Sequence, residues 1–394
     1  MDKISIYIHW PFCIKKCPYC DFNSHEFNFI DHNKFEEAYI KQIHLYLPYI
    51  KSLHPNINSI FIGGGTPTTA EVFVIESIIN TIGQYYNLSD VEITIEANPT
   101  SSEASKFKDL KNAGVNRISI GVQSFHDNHL KFLQRTHNNT QALNAIDFAA
   151  NTFDNYSFDL IYALPSQTLE ELHKDLTKII GLNPTHVSLY QLTIEKGTKF
   201  YKDYHQNHLF ELPKEDLSFA MYNLCEEILS HKYKRYEISN YASFNENVLN
   251  ISRHNMHYWE YKPFFGIGPG AHSRLFINNE AFEVIMHHDP KKWLTHALES
   301  EFNHIEHMLN KNTYDQKTAI QSISNILPKD AIKEEIMMGM RATCGIDYNK
   351  LLIDESKIES LIKEEYCNKI SSNIVVPTSK GMNLHSSIVD FLTK

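Results

Sequence analysis

Six short runs rich in β-branched and apolar residues recur along the first half of the chain: Ile4–His9, Ser59–Gly63, Val91–Ala97, Arg117–Gly121, Ser157–Tyr162 and His186–Gln191. Each is followed by a longer segment with helical periodicity, at about 33–50, 70–86, 102–113, 139–151, 168–180 and 214–232. Thr168 three residues before Glu171, and Ser101 ahead of Glu103, are start signals; Gly114 and Asn183-Pro184 are stops. Strands joined through helices run parallel, because parallel neighbours need a crossover. The alternation therefore predicts an α/β fold with helices outside a parallel sheet. Periodicity leaves two forms open, a doubly wound sheet and a curved, incomplete (β/α)6 barrel. In both, ligands gather where the strands end.

The unusual residues fall at those ends. Cys13, Cys17 and Cys20 follow the first run, and Gly63-Gly64-Gly65-Thr66-Pro67 the second. Glu96-Ala97-Asn98-Pro99 closes the third, Gln123 follows the fourth, and Asp159 lies in the fifth. Residues 235–275 are aromatic and Gly-rich with weaker repeat character, and beyond about 290 the rhythm stops. The expected organisation is a core over 1–235, a segment 236–290 packed on it, and a small, mainly helical C-terminal domain over 291–394 with a short strand at Asn373–Val376.

Three of the six cysteines lie within eight residues and the others, Cys225, Cys344 and Cys367, are scattered, which is a metal-site distribution and not a disulfide framework. CxxxCxxC lets three thiolates wrap one centre. A structural zinc needs a fourth ligand, for which His9 and His25 are the candidates. An ordinary [4Fe–4S] cluster also takes four thiolates, so three leave one iron open for a ligand.

A formal charge of −10 argues against general attraction to nucleic acid or anionic membrane. No apolar run approaches the ~18 residues of a spanning helix, and Met1-Asp2-Lys3-Ile4-Ser5 has no leader character. A cytoplasmic protein without an integral membrane segment is expected.

CxxxCxxC opening a β–α repeat resembles the radical S-adenosylmethionine (SAM) superfamily over residues 4–230, which implies a partial (β/α)6 TIM-like barrel. It also implies that SAM chelates the open iron and that the reduced cluster cleaves it to a 5′-deoxyadenosyl radical. Further motifs narrow the match: Tyr7-x-His9-x-Pro11-Phe12-Cys13, Gly63 to Thr68, Gly121 to Phe125, Arg135-Thr136-His137, Asp159 to Pro165 and Ser188 to Leu192. Together they resemble the oxygen-independent coproporphyrinogen III oxidase family, nearly end to end, including its winged-helix-like C-terminal domain. By that resemblance Cys13, Cys17 and Cys20 hold a [4Fe–4S] cluster. Tyr7, Gly64 and Glu96 contact the cluster-bound SAM, and Tyr19 presents its backbone to the pocket. Gln123, Arg135 and Asp159, with Gly65 and Thr66 nearby, line the place of a second SAM.

Two features depart from the oxidases. Phe22 stands where they carry a further cysteine, and few residues precede Ile4 where they have an N-terminal arm. Both match the haem chaperone branch of the family, as does His254-Asn255-Met256-His257-Tyr258-Trp259, its HNxxYW motif, followed by Gly266-x-Gly268-Pro269-Gly270-Ala271-His272-Ser273. The branch implies haem as cargo, recipient apo-haemoproteins, no nucleic acid and a possible homodimer. His254 is the candidate haem ligand, expected as a single exposed axial imidazole beside Tyr258 and Trp259. The competing reading of the same residues is a buried hydrogen-bonded turn. The alternative function is the oxidase or another radical SAM enzyme.

Overall fold

The computed structural model describes residues 3–245, 248–278, 280–300 and 318–394. Six parallel strands, β1 (Ile4–Trp10), β2 (Ile57–Gly64), β3 (Glu92–Ala97), β4 (Arg117–Gln123), β5 (Asn155–Tyr162) and β6 (His186–Gln191), lie side by side in chain order. Between and after them run α1 (His32–Leu53), α2 (Val72–Gly83), α3 (Phe107–Asn112), α4 (Asn139–Thr152), α5 (Leu169–Leu182) and α6 (Glu215–Leu229).

Local chemistry sets these boundaries. Thr168 and Glu171 form a full capping box at the start of α5, and Asn183 stops that helix in the left-handed region at φ 52°. The single helix expected over 102–113 is instead two pieces, Ser101–Ala104 and α3, and the cap is Thr100, whose side chain accepts from Glu103 N–H.

Parallel sheets covered on both faces usually read as continuous apolar runs. These strands alternate. Ile4, Ile6 and Ile8 of β1 pack outward into the main core, while Ser5, Tyr7 and His9 turn the other way. The pattern repeats as Ser59 and Phe61, Thr94 and Glu96, Arg117 and Ser119, Ser157 and Asp159, and His186 and Ser188. The register sets like beside like: Ser5 pairs with Ser59, Thr94 with Arg117, Ser119 with Ser157, and Asp159 with Ser188. Residues from all six strands line one hollow of about 690 Å³. Only a curved sheet brings the two ends of a six-strand row around a common space. The incomplete barrel is therefore the form adopted, with a polar interior and an isoleucine-rich exterior.

The sheet continues past both ends of this row. Beyond β6 lies antiparallel β7 (Asn240–Asn245), and on the far side of β1 come β8 (Phe264–Ile267), parallel to it, then antiparallel β9 (His272–Ile277), β10 (Glu280–Met286) and β11 (Ile320–Ile326). Residues 328–394 form a unit with its own core, built on helices Pro328–Gly339, Glu355–Lys363 and His385–Thr393 and an antiparallel sheet of Ile346–Asp347, Ile374–Pro377 and Cys367–Lys369. Residues 301–317, also within the expected C-terminal domain, lie outside the described residues. Among the described residues, no helix is long and apolar enough to cross a membrane.

Candidate functional site

The loop from Phe12 to Ser24 is held by backbone bonds to its neighbours. Gly65 N–H donates to Trp10 O at 2.7 Å and Thr66 N–H to Phe12 O at 2.8 Å, while Phe200 N–H donates to Pro18 O at 2.8 Å. A Cβ on Gly65 would lie 2.7 Å from Phe12 O, and one on Gly64, at φ +110°, would lie 2.5 Å from the His9 ring. These glycines let the β2 loop close against the cysteine loop.

Cys13, Cys17 and Cys20 are free thiols, and all three line a cavity of about 140 Å³ at the carboxyl ends of the strands. Each sulfur has a polar neighbour. Thr66 Oγ1 donates to Cys13 Sγ at 3.4 Å, Arg135 Nη1 to Cys17 Sγ at 3.1 Å, and Ser24 Oγ is 3.7 Å from Cys20 Sγ. Burial pushes the Cys13 thiol up to about 11 and raises that of Cys20, so metal binding there must release protons.

Among the described residues, no three His, Cys, Asp or Glu side chains converge closely enough to hold a single ion, as a zinc site requires. The two histidines considered as a fourth zinc ligand are engaged elsewhere. His9 has Nδ1 at 2.9 Å from Tyr7 OH and Nε2 at 2.9 Å from Asn23 O, and His25 Nε2 is 3.1 Å from Asn23 Oδ1. Three thiols spread around a cavity, each beside a hydrogen-bonding group, fit an iron–sulfur cube, in which each thiolate binds a different iron.

Tyr19, Gly64, Gly65, Thr66, Glu96, Gln123, Arg135 and Asp159 line this same cavity. Arg135 is its organiser: besides Cys17 it donates to Tyr19 OH at 3.4 Å, to Gly121 O at 2.9 Å and to Asn98 Oδ1, while its buried Nε has no partner among the described residues. Glu96 accepts from Gly64 N–H at 3.0 Å. Burial, then the charge of Asp159, lifts the Glu96 carboxyl from 4.5 to about 7; burial lifts Asp159 to about 6 against bonds from Ser188 and Ser119. Two carboxyls deprived of water, with few donors, suit a ligand that brings hydroxyls or a cation.

Tyr7 and His254 lie elsewhere, on the larger hollow, which adjoins the thiol cavity and shares Phe22, Gly64, Glu96, Ser119 and Asp159 with it. His254 sits on a short helix, α7 (Arg253–Trp259), whose start is capped by Ser252 and by the Glu92 carboxylate, which accepts from the N–H of Arg253 and of His254 at 3.2 Å each. Because Ser59 and Glu92 belong to the early parts of β2 and β3, α7 plugs the floor of the barrel. His254 is 1% exposed, stacked on Phe61 at 4.9 Å, with Nδ1 2.8 Å from Ser59 Oγ and Nε2 2.7 Å from Tyr258 OH. In this conformation the ring is not exposed and neither nitrogen is available to iron. The geometry is that of the buried hydrogen-bonded turn. Trp259 faces the other way, under Arg341 of the C-terminal unit at 4.7 Å.

Sequence reasoning passed over Asn98, Ser119, Ser24 and Ser188 as site residues. The signal for Ser119 and Ser188 was present as period-two polarity within strands taken as simply apolar.

The Radical SAM superfamily profile matches residues 7–179. The heme chaperone HemW of Buchnera aphidicola subsp. Acyrthosiphon pisum (strain APS) is 35% identical over 100% of this chain and 99% of its own length. That of Escherichia coli (strain K12) is 38% identical over 70% of this chain and 71% of its own. Coproporphyrinogen III oxidase (HemN) of Escherichia coli, a radical SAM enzyme, superposes with a TM-score of 0.77 over 100% of this chain and 90% of that one, at 18% identity; this likeness establishes the fold alone.

Proposed function

We propose, for a chain that belongs to the HemW family of radical SAM proteins, that it is a haem chaperone: it binds haem and passes it to apo-haemoproteins. The observation that carries this reading is the end-to-end similarity to a heme chaperone in a chain whose three unpaired thiols share one cavity. Phe22, 57% exposed at the edge of both cavities, supports it, since an exposed aromatic in place of a thiol offers a macrocycle a face.

Cys13, Cys17 and Cys20 would hold a [4Fe–4S] cluster, which when bound supplies an open iron for SAM and an electron. The protein's part is to prepare the surroundings. Arg135 steadies Cys17 and balances charge, Thr66 and Ser24 face the other two sulfurs, and Tyr19 closes the loop against Phe200 at 6.2 Å. Glu96 and Asp159 would accept from SAM, with Gly64, Gly65 and Gln123 shaping the cavity and Tyr7 facing it from the hollow. His254 would enter haem handling only after Ser59 and Tyr258 release its ring. The natural setting of this cycle is the cytoplasm, with respiratory haemoproteins as recipients and a homodimer as the working form.

Anaerobic iron and sulfide determination, followed by titration with ferric haem, tests the reading. Iron and acid-labile sulfide near four each per chain, lost when all three cysteines become serine, and a Soret band on haem addition are expected. Absence of haem binding, or conversion of coproporphyrinogen to protoporphyrinogen by the reduced protein, would overturn it.

A further inference from the structure

Five histidines line the large hollow, and their hydrogen bonds divide them. His9, His186 and His254 have both ring nitrogens engaged, His186 with Ser157 Oγ at 2.7 Å and Tyr236 OH at 2.8 Å. His272 and His288 differ. His272 opens β9, and His288 follows the end of the neighbouring β10. Both are exposed, at the mouth beside Phe22, and among the described residues neither ring makes a hydrogen bond. His272 Nδ1 stands 3.9 Å from Glu283, and its side chain is 48% exposed.

The two rings have centroids 6.1 Å apart and meet edge to face at 69°, so one exposed ring must turn about its side chain for both to aim a nitrogen at a shared metal. With metal–nitrogen bonds of about 2.0–2.1 Å, imidazoles gripping one metal from opposite sides have ring centres roughly 6 Å apart. Burial keeps His272 below the usual imidazole range, with Glu283 pulling the other way and His288 and Arg274 acting in the same sense as burial.

The same hollow holds a buried cation, Arg117, whose charge favours the ionised forms of Glu96 and Asp159. Arg117 is 2% exposed, Nη1 reaches Thr94 Oγ1 only at 3.5 Å, and Nε has no hydrogen-bond partner among the described residues. A buried guanidinium with a donor left unpaired is costly, and a carboxylate can take that donor. A metal at the mouth and a carboxylate further in are two parts of a single metalloporphyrin.

We propose that His272 and His288 ligate the haem iron at the mouth of the hollow, with the macrocycle against Phe22 and a propionate directed toward Arg117. This rests on the haem chaperone reading and places the ligands away from His254.

The test uses the full-length, cluster-loaded protein under anaerobic conditions, titrated with ferric haem and followed by absorption and electron paramagnetic resonance. The unaltered protein is expected to give a low-spin, imidazole-ligated signal. The His272→Ala/His288→Ala double variant, and the gentler His272→Gln/His288→Gln pair, should lose that signal and bind haem at least ~10-fold more weakly, about 1.4 kcal/mol. Cluster iron content should be unchanged, and added imidazole should restore the low-spin spectrum. His173→Ala, an exposed position of α5 that does not line the hollow, should keep it. Retention of the signal in both double variants overturns the assignment while leaving the chaperone reading intact. If the unaltered protein takes up no haem, the chaperone reading itself falls. Haem dimethyl ester, which lacks free carboxylates, should bind the unaltered protein more weakly than haem; equal affinity would refute the role given to Arg117.

Discussion

Glu96→Gln separates the energetic cost of the site from its use. The carboxyl is raised from 4.5 to about 7, first by burial and then by Asp159. At about 1.36 kcal/mol for each pH unit, holding it ionised costs the folded protein about 3 kcal/mol once the pH is well above 7. The sign follows from the folded value lying above the unfolded one: stability is full below pH 4.5 and lost as pH rises through about 7. Asp159, raised from 3.8 to about 6, acts in the same sense at lower pH, and because the two carboxyls interact their effects share one titration. Glutamine keeps an oxygen for the Gly64 N–H but carries no charge. Denaturant unfolding of SAM-free, cluster-loaded protein between about pH 5 and 8 should show the native chain falling relative to Glu96→Gln by up to about 3 kcal/mol. Saturating SAM should narrow the gap, since hydroxyl donors favour the ionised form. Identical pH slopes for the two proteins would refute the claim that Glu96 waits in a dry, donor-poor cavity.

Two more perturbations test the frame of the site. Gly64→Ala forces a Cβ onto a backbone at φ +110° and to 2.5 Å of the His9 ring, and should destabilise by about 1–3 kcal/mol and weaken SAM binding; Gly83→Ala, where the nearest atom is 3.5 Å away, should do neither. Arg341→Met removes the 2.9 Å ion-pair partner of Glu237, whose side chain is 0% exposed, and leaves the buried charge with backbone donors such as Ser239 N–H; this should cost about 3 kcal/mol by thermal unfolding. Burial already raises the Glu237 carboxyl and Arg341 opposes it, so the loss should shrink at acid pH.

The parallel strands were legible because isoleucine-rich runs bounded by Gly, Pro and Asn leave little freedom of assignment. β1 and β6 fall within one residue of expectation. The cysteine loop was equally plain, as its chemistry is local in sequence. β8 to β10 were not legible. β8 is four residues long and contains Gly266, whose close approach to β9 gives it a structural role that no period reveals. The surroundings of His254 were hidden for a different reason. Ser59 is 195 residues away, so spacing cannot say which imidazole nitrogens remain free.

The polar interior explains why HNxxYW is a floor. Parallel strands that turn Ser, Thr, Arg and His inward cannot fill their own barrel with apolar layers, so an open lower end would admit water to every strand. α7 closes that end by matching polar groups to polar groups: Glu92 caps its start, Ser59 and Tyr258 hold the His254 ring, and His257 Nε2 lies 2.8 Å from Pro263 O. Four residues on from His254, Tyr258 returns to the same face, while Trp259 projects to Arg341 and Cys344 Sγ donates to its carbonyl at 3.5 Å. One short helix thus seals the hollow and anchors the C-terminal unit. A motif serving both tasks needs a His, a Tyr and a Trp at these spacings whether or not any of them touches haem, so the presence of HNxxYW cannot by itself locate the iron. The two histidines at the mouth, whose rings make no hydrogen bond among the described residues, can be tested for that directly.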